Sequence, residues 1–328
     1  MLTEGTRSPP RTALVADIGG TNARLAIADL ETLRLAGAAR FRGAEFPSLH
    51  AVASAYLKGV AERPTAAAVA VAAPVVGDSV RLTNSAWSFG REELRAALGV
   101  ERLLVLNDFE ALAHALPHLG PSDLHQIGGG APVERAAKTV LGPGTGLGVA
   151  GLAWSPSGWR AVPGEGGHVA FAVEDAREFA MLERLLTGRE RLSVERVVSG
   201  PGLADTYRVL AELAGRRAEP LDAPEVVQRA LSGDDATARE AVERFATWLG
   251  RFAGDAALFF GARGGVYIGG GIAPRMVDVL SAGPFRRAFE AKGRMTSYLA
   301  PIPVYVILAG DAALRGAAAA LAAGMAES

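Results

Sequence analysis

Residues 13–29 read ALVADIGGTNARLAIAD. An apolar run, Ala13–Ala16, reaches Asp17, passes through Gly19-Gly20-Thr21-Asn22, and resumes as Leu25–Ala28 before a second aspartate, Asp29. Two apolar runs around a short Gly-rich link read as buried strands joined by a tight turn. The tip of that hairpin carries a carboxylate and two glycines. Glycines there let backbone N–H groups approach an anion, and a threonine hydroxyl adds a donor.

Further strand-like runs occur at 67–72, 103–106, 139–141, 149–153, 266–268 and 304–308. Helical patterns lie between them at 48–59, 91–98, 110–115, 176–186, 202–214, 223–231, 236–260 and 284–292. Such alternation is an α/β signature. In the longest pattern Phe245, Leu249, Phe252 and Leu258 share a stripe, with Glu240, Glu243, Arg244 and Arg251 elsewhere, which reads as a core helix.

Composition narrows the function. The 328 residues suffice for about two domains. With 34 Lys+Arg against 35 Asp+Glu, the net charge of -1 gives no basic bias toward nucleic acid or anionic lipid, so a small-molecule partner is expected. Zero cysteines exclude disulfides, thiolate ligands and cysteine nucleophiles, and fit a reducing cytoplasm. The first eleven residues have no apolar h-region and read as a disordered tail. No apolar run approaches membrane-spanning length.

The 40 glycines gather at 128–130, 142–151, 164–167 and 264–271. In LGPGTGLGVAG, 141–151, the dipeptide Gly-Lys of a Walker A loop is missing, and the alternating glycines are not read as a dinucleotide fingerprint. The segment reads as a second strand, Gly-Thr-Gly turn, strand unit like the first, and two such tips could clamp a polyphosphate. GGVYIGGGIAPR, 264–275, reads either as a plain strand-to-helix connection or as the floor under a purine ring.

Polar clusters supply the rest. In LVLNDFEALAHALP a strand, 103–106, runs into Asn107-Asp108 ahead of a helix. That pair reads either as an N-cap or as ligand groups at the carboxyl end of a sheet strand. PGEGGHVAF places Glu165 and His168 three apart in a glycine-framed loop. Five histidines and no cysteine make a zinc site a poor reading there. A sugar-hydroxyl site suits them better, since a carboxylate accepts from vicinal hydroxyls and imidazole donates or accepts. ERVVSGPGL offers Glu195, either a third sugar group or a surface charge at a helix start.

In order, DIGGTNARLAIAD, AVAAPVVGDSVRLTNSAWSF, LNDFEALAHALP, GPGTGLGVAGL, VPGEGGHVAFA, VERVVSGPGL, GGVYIGGGIAPR, FEAKGRM and IPVYVI resemble the bacterial glucokinases of the non-ROK type. That family lies within the hexokinase, Hsp70 and actin ATPase superfamily. The resemblance implies an α/β, two-domain actin-like ATPase fold with RNase H-like cores and an interdomain cleft. It implies a small domain, 1–118, completed by a C-terminal helix, 307–328, and a large domain, 119–306. It also implies Mg-ATP:glucose 6-phosphotransfer in a cytoplasmic homodimer. Asp17 is then expected to hold Mg²⁺ through water. Gly19, Gly20 and Thr21 approach the phosphates from one side, Gly144, Thr145 and Gly146 from the other, with Gly270 and Gly271 under the adenosine. Glucose is expected to meet Asn107, Asp108, Glu165, His168 and Glu195, with Asp108 the general base. The zinc motif of the ROK branch needs cysteines that this chain lacks. The rival readings are a kinase for another hexose or an N-acetylhexosamine, a non-catalytic sugar-sensing regulator, and an actin- or Hsp70-like ATPase.

Overall fold

A computed structural model describes residues 11–82 and 87–326. All but the last residue of the expected N-terminal tail, and 83–86 of the second motif, lie outside them. The chain divides into two compact units: residues up to Leu119 together with those from Gly310 onward, and the continuous segment Gly120–Ala309.

The first unit holds β1 (Thr12–Ile18), β2 (Asn22–Asp29), β3 (Leu35–Arg42), β4 (Ala66–Val71), β5 (Ser79–Arg81), β6 (Ser88–Gly90) and β7 (Arg102–Asn107). Its main sheet has the order β3-β2-β1-β4-β7, with β5 and β6 forming a separate ribbon. β1 is antiparallel to β2 and parallel to β4. Its central place explains its sequence, because a strand covered on both faces reads as a nearly unbroken apolar run. Side-chain alternation divides that run between two cores. Leu14, Ala16 and Ile18 face Leu49, Val52, Leu94 and Leu98. Ala13 and Val15, with Ala66 and Ala68, face Leu314, Ala317, Ala318 and Leu321 of the C-terminal helix, Ala312–Ala326. The small side chains on this second face admit that helix closely. The helix begins at Ala312 rather than 307, because Ile307 belongs to a strand of the other unit.

The second unit holds β8 (Leu124–Gln126), β9 (Lys138–Pro143), β10 (Leu147–Ser155), β11 (Gly158–Gly164), β12 (Val266–Ile268) and β13 (Val304–Ile307). Their order is β11-β10-β9-β12-β13-β8. Apart from the added edge strand β8, this repeats the first sheet: a hairpin, a third antiparallel strand outside it, and two parallel strands on the other flank. The hairpin tips at 19–21 and 144–146 therefore hold equivalent places in two copies of one topology.

The helix Ala236–Phe260 buries Phe245, Leu249 and Phe252 as expected, while Leu258 is half-buried. Gly250 and Gly254 press it against the helix Pro284–Glu290: a Cβ on Gly254 would lie 2.5 Å from the Phe289 carbonyl oxygen. Arg251, expected off the core stripe, is buried as well.

Candidate active site

In the first unit Asp17 sits one residue from the end of β1, 7% exposed, directly across the hairpin from Arg24. Arg24 Nη2 lies 2.8 Å from Asp17 Oδ2. Burial pushes the Asp17 carboxyl above its usual range and the Arg24 guanidinium pulls it back, with burial prevailing. Gly19 N–H donates to the Asn22 carbonyl at 2.9 Å, which closes the turn and leaves Gly20 and Thr21 exposed at the tip. Sequence reading missed Arg24, although hairpin register would have found it: Ile18 pairs with Ala23, and Asp17 with Arg24. Among the described residues no three carboxylate or histidine groups converge on a metal position. A lone buried carboxylate beside an exposed Gly-Thr tip nonetheless suits Mg²⁺, which keeps water and phosphate oxygens and takes one or two carboxylates.

Asn107 ends β7 and caps the helix Asp108–Ala115. Its side-chain oxygen accepts from Phe109 N–H at 2.9 Å and Glu110 N–H at 3.3 Å, and its Nδ2 donates to Ala73 O at 3.3 Å. The Glu110 carboxylate returns to the Asn107 N–H at 3.4 Å, completing a capping box. Asp108, the first helical residue, accepts from Phe109 N–H at 3.0 Å. The cap reading of Asn107 is thus correct. It fixes the main chain on which Asp108 stands at the carboxyl end of a parallel strand, where α/β sheets present ligand groups.

In the second unit Gly144 N–H donates to Gly146 O at 2.8 Å, closing the Gly144-Thr145-Gly146 turn with Thr145 exposed. A Cβ on Gly142 would lie 2.5 Å from the Gly269 carbonyl oxygen, and one on Gly270 (φ +80°) 2.5 Å from Pro143 O. Main chain therefore lies on main chain, which sets the Gly269–Gly271 turn beside the Gly-Thr-Gly turn. Residues 146–151, GLGVAG, do meet the GxGxxG spacing, but five of the six lie within β10, antiparallel to β9. A dinucleotide fingerprint needs a strand-to-helix turn there, so the match is formal only.

Glu165 precedes the tight turn Gly166–His168 and His168 closes it, with His168 N–H donating to Glu165 O at 3.0 Å. A Cβ on Gly167 would run into Leu147 O, so this loop can lie against the start of β10 only with glycine there. His168 Nε2 is 3.8 Å from Glu165 Oε2, and its Nδ1 is 4.0 Å from Glu195 Oε1. Glu165 and His168 side chains are half exposed, whereas Glu195 is 25% exposed. Glu195 Oε2 accepts from Leu147 N–H at 2.9 Å, which overturns the reading of a free surface charge. The three groups together offer acceptors and an imidazole to a polyhydroxy ligand.

Residues 14–324 match the family model described as glucokinase. The chain belongs to the glucokinase family. Glucokinases from Tolumonas auensis and Chromobacterium violaceum are 44% and 47% identical to it over 308 and 317 residues. Each alignment covers 94% of this chain, and 96% and 89% of the respective relative. The crystal structure of a glucokinase from an Antarctic psychrotroph is similar with a TM-score of 0.84 at 37% identity, covering 95% of this chain and 98% of that one. The fold is the actin-like ATPase fold, and the chain is an ATP-dependent hexose kinase.

The segment that follows the Glu165–His168 loop is held by a buried polar network that sequence reading also missed. Arg251 donates to both oxygens of Glu178, at 3.1 and 3.0 Å, and to Ala172 O at 3.0 Å. Trp248 Nε1 donates to Glu178 Oε1 at 2.8 Å, and its ring meets Phe171 edge to face. Burial pushes the Glu178 carboxyl up, but hydrogen bonds from Arg251, the Glu174 N–H and Trp248 outweigh it and hold the group below its ordinary range. Arg191 clamps the loop from outside, donating to His168 O at 2.8 Å.

Proposed function

We propose that this chain transfers the γ-phosphoryl group of ATP to the 6-hydroxyl of glucose. The observation that carries the reading is the convergence of Glu165, His168 and Glu195 beside a Gly-Thr-Gly turn in the second unit, in a chain of the glucokinase family. Phosphoryl transfer asks chiefly for positioning and neutralisation of charge, so few side chains need act chemically.

Glucose is bound by Asn107, Asp108, Glu165, His168 and Glu195, whose acceptors and imidazole match its ring hydroxyls. Asp108 takes the proton of the 6-hydroxyl as that oxygen attacks the γ-phosphorus, and the bond to the β-bridging oxygen breaks. Gly19, Gly20 and Thr21, with Gly144, Thr145 and Gly146, let the phosphates approach the main chain of two turns that the Gly19 and Gly144 N–H groups close, Thr21 and Thr145 add hydroxyls, and Gly270 and Gly271 leave room for the adenosine. Mg²⁺, when bound, neutralises charge on the phosphate oxygens, and Asp17 would hold it through water. The two compact units act as the small domain, residues up to Leu119 with those from Gly310 onward, and the large domain, Gly120–Ala309. The enzyme works in the cytoplasm as a homodimer; no helix among the described residues is long and apolar enough to cross a membrane.

A coupled assay across hexoses and phosphoryl donors tests this reading. Glucose with Mg-ATP should give the highest kcat/KM. A higher value for an N-acetylhexosamine or another hexose would reassign the substrate. Two-chain mass in sedimentation is the expected oligomeric result.

A further inference from the structure

One carboxylate in the second unit touches both halves of the machinery. Glu195 Oε1 faces the sugar loop, 4.0 Å from His168 Nδ1. Its Oε2 accepts from the N–H of Leu147, the residue that follows the Gly144-Thr145-Gly146 turn, at 2.9 Å. The carboxylate lies so close over the turn that a Cβ on Gly146 would run into it. The segment carrying Glu195 is tied at both ends in the same way. Val194 N–H donates to Val169 O at 3.0 Å on the sugar-loop side, and Gly200 N–H donates to Gly144 O at 2.8 Å on the phosphate-turn side.

We propose that Glu195 is a positioning residue for the phosphate turn as well as a sugar ligand, so that sugar and nucleotide tighten each other's binding through this one side chain. The inference rests on the glucokinase reading for the identity of the two ligands. Leu147 is buried, and its N–H needs an acceptor; a charged one makes the stronger bond. A carboxylate held only at Oε2 can still rotate. A sugar hydroxyl donating to Oε1 fixes its plane, and with it the orientation of the Leu147 N–H and the turn before it. Nucleotide then meets a turn already ordered, and linkage makes the gain reciprocal.

The test is calorimetry of the full chain with a non-hydrolysable ATP analogue and Mg²⁺, with and without glucose. In the wild type glucose should lower the analogue Kd, and the analogue should lower the glucose Kd by the same factor. Glu195→Ala should weaken the analogue ~10-fold even without sugar, because the Leu147 N–H loses its acceptor, and should abolish the coupling. Glu195→Gln keeps an acceptor for Leu147 and should restore sugar-free analogue binding to within twofold of wild type, while glucose binding stays impaired. Glu165→Ala removes a sugar contact but leaves the bond from the Leu147 N–H to Glu195 in place, and should weaken glucose and leave sugar-free analogue binding unchanged. If Glu195→Ala binds the analogue like wild type without sugar, or if Gln restores nothing, the proposal is overturned while the glucokinase reading stands. Failure of wild type to bind or phosphorylate glucose would instead remove that reading, and the sugar-free arm would still report on the turn.

Discussion

Asp108 stands on the first turn of a helix whose cap is already complete, because Asn107 and Glu110 satisfy the exposed N–H groups between them. The role of base proposed for it is therefore separable from folding. Asp108→Asn should keep the melting temperature and glucose affinity and lower kcat ~10²-fold or more, the range over which a positioned base contributes; near-normal kcat in steady-state assays would remove the assignment. At Gly144 a Cβ meets nothing within 4 Å, and φ is not positive. Gly144→Val should accordingly fold as well as wild type and lose nucleotide affinity much more than glucose affinity in calorimetry. Equal loss of both would mean that the side chain disturbs the unit and not the cradle. Single residues were legible in the sequence where their type carries the signal: a carboxylate after a strand, glycines at a turn, Glu165 and His168 in a glycine frame. Arg24, Glu178 and Arg251 were not, because an arginine or a helical glutamate reads as solvated surface until its partner is known. That partner lies across a hairpin for Arg24 and 73 residues away for Arg251.

At the scale of elements, propensity and packing oppose each other at Gly316, in the middle of the C-terminal helix. Alanine there should raise helix propensity by about 1 kcal/mol. Its Cβ, however, would be driven into the Ala111 carbonyl of the helix that begins at Asp108. Overpacking against main chain costs about 1–3 kcal/mol or more, so Gly316→Ala should lower the urea midpoint and, by shifting the Asp108 helix, kcat as well. A stabilised variant of unchanged activity would contradict this packing. The helices Ala176–Leu185 and Ala236–Phe260 meet through Glu178 and Arg251. A carboxyl held below its ordinary value of 4.5 in the fold contributes stability that is present above that value and lost as pH falls through the depressed one. Glu178→Gln leaves the buried Arg251 guanidinium with only the exposed Glu174 carboxylate and the Ala172 carbonyl as partners and should cost about 1–3 kcal/mol near pH 7. The gap in urea midpoint between wild type and variant should close as pH falls below ~4.5; a gap constant from pH 7 to pH 3 would show that the pair is not ionised as the structure indicates. The long helices and central strands were readable from period alone. β3 and β11 were not. LAGAARFR dilutes its alternation with Gly37 and arginines, and GWRAVPG carries Pro163, which a strand tolerates at the sheet edge where β11 lies.

Across the whole molecule the two sheets share one strand order, and this duplication was nearly invisible in the sequence. Only the two Gly-Thr tips betray it, since topology survives while the side chains that fill each core diverge. The α/β class and the family were legible because the motifs come in a fixed order and carry specific residue types. The division of the chain reached its boundaries only through contacts that composition does not encode. That division has a consequence for the order of events on the ribosome. The second unit is one uninterrupted segment, so all of its strands and helices have emerged once Ala309 has been made. The first unit begins earlier, yet one face of its sheet awaits Leu314, Ala317, Ala318 and Leu321, which follow the whole of the second unit in the chain. Until then Ala13, Val15, Ala66 and Ala68 lack that cover, with only Ala111 of the Asp108–Ala115 helix sharing their face, so the unit whose translation starts first is the one that finishes folding second, and a nascent chain stalled before Leu314 would present a partly open apolar face to chaperones and to other nascent chains.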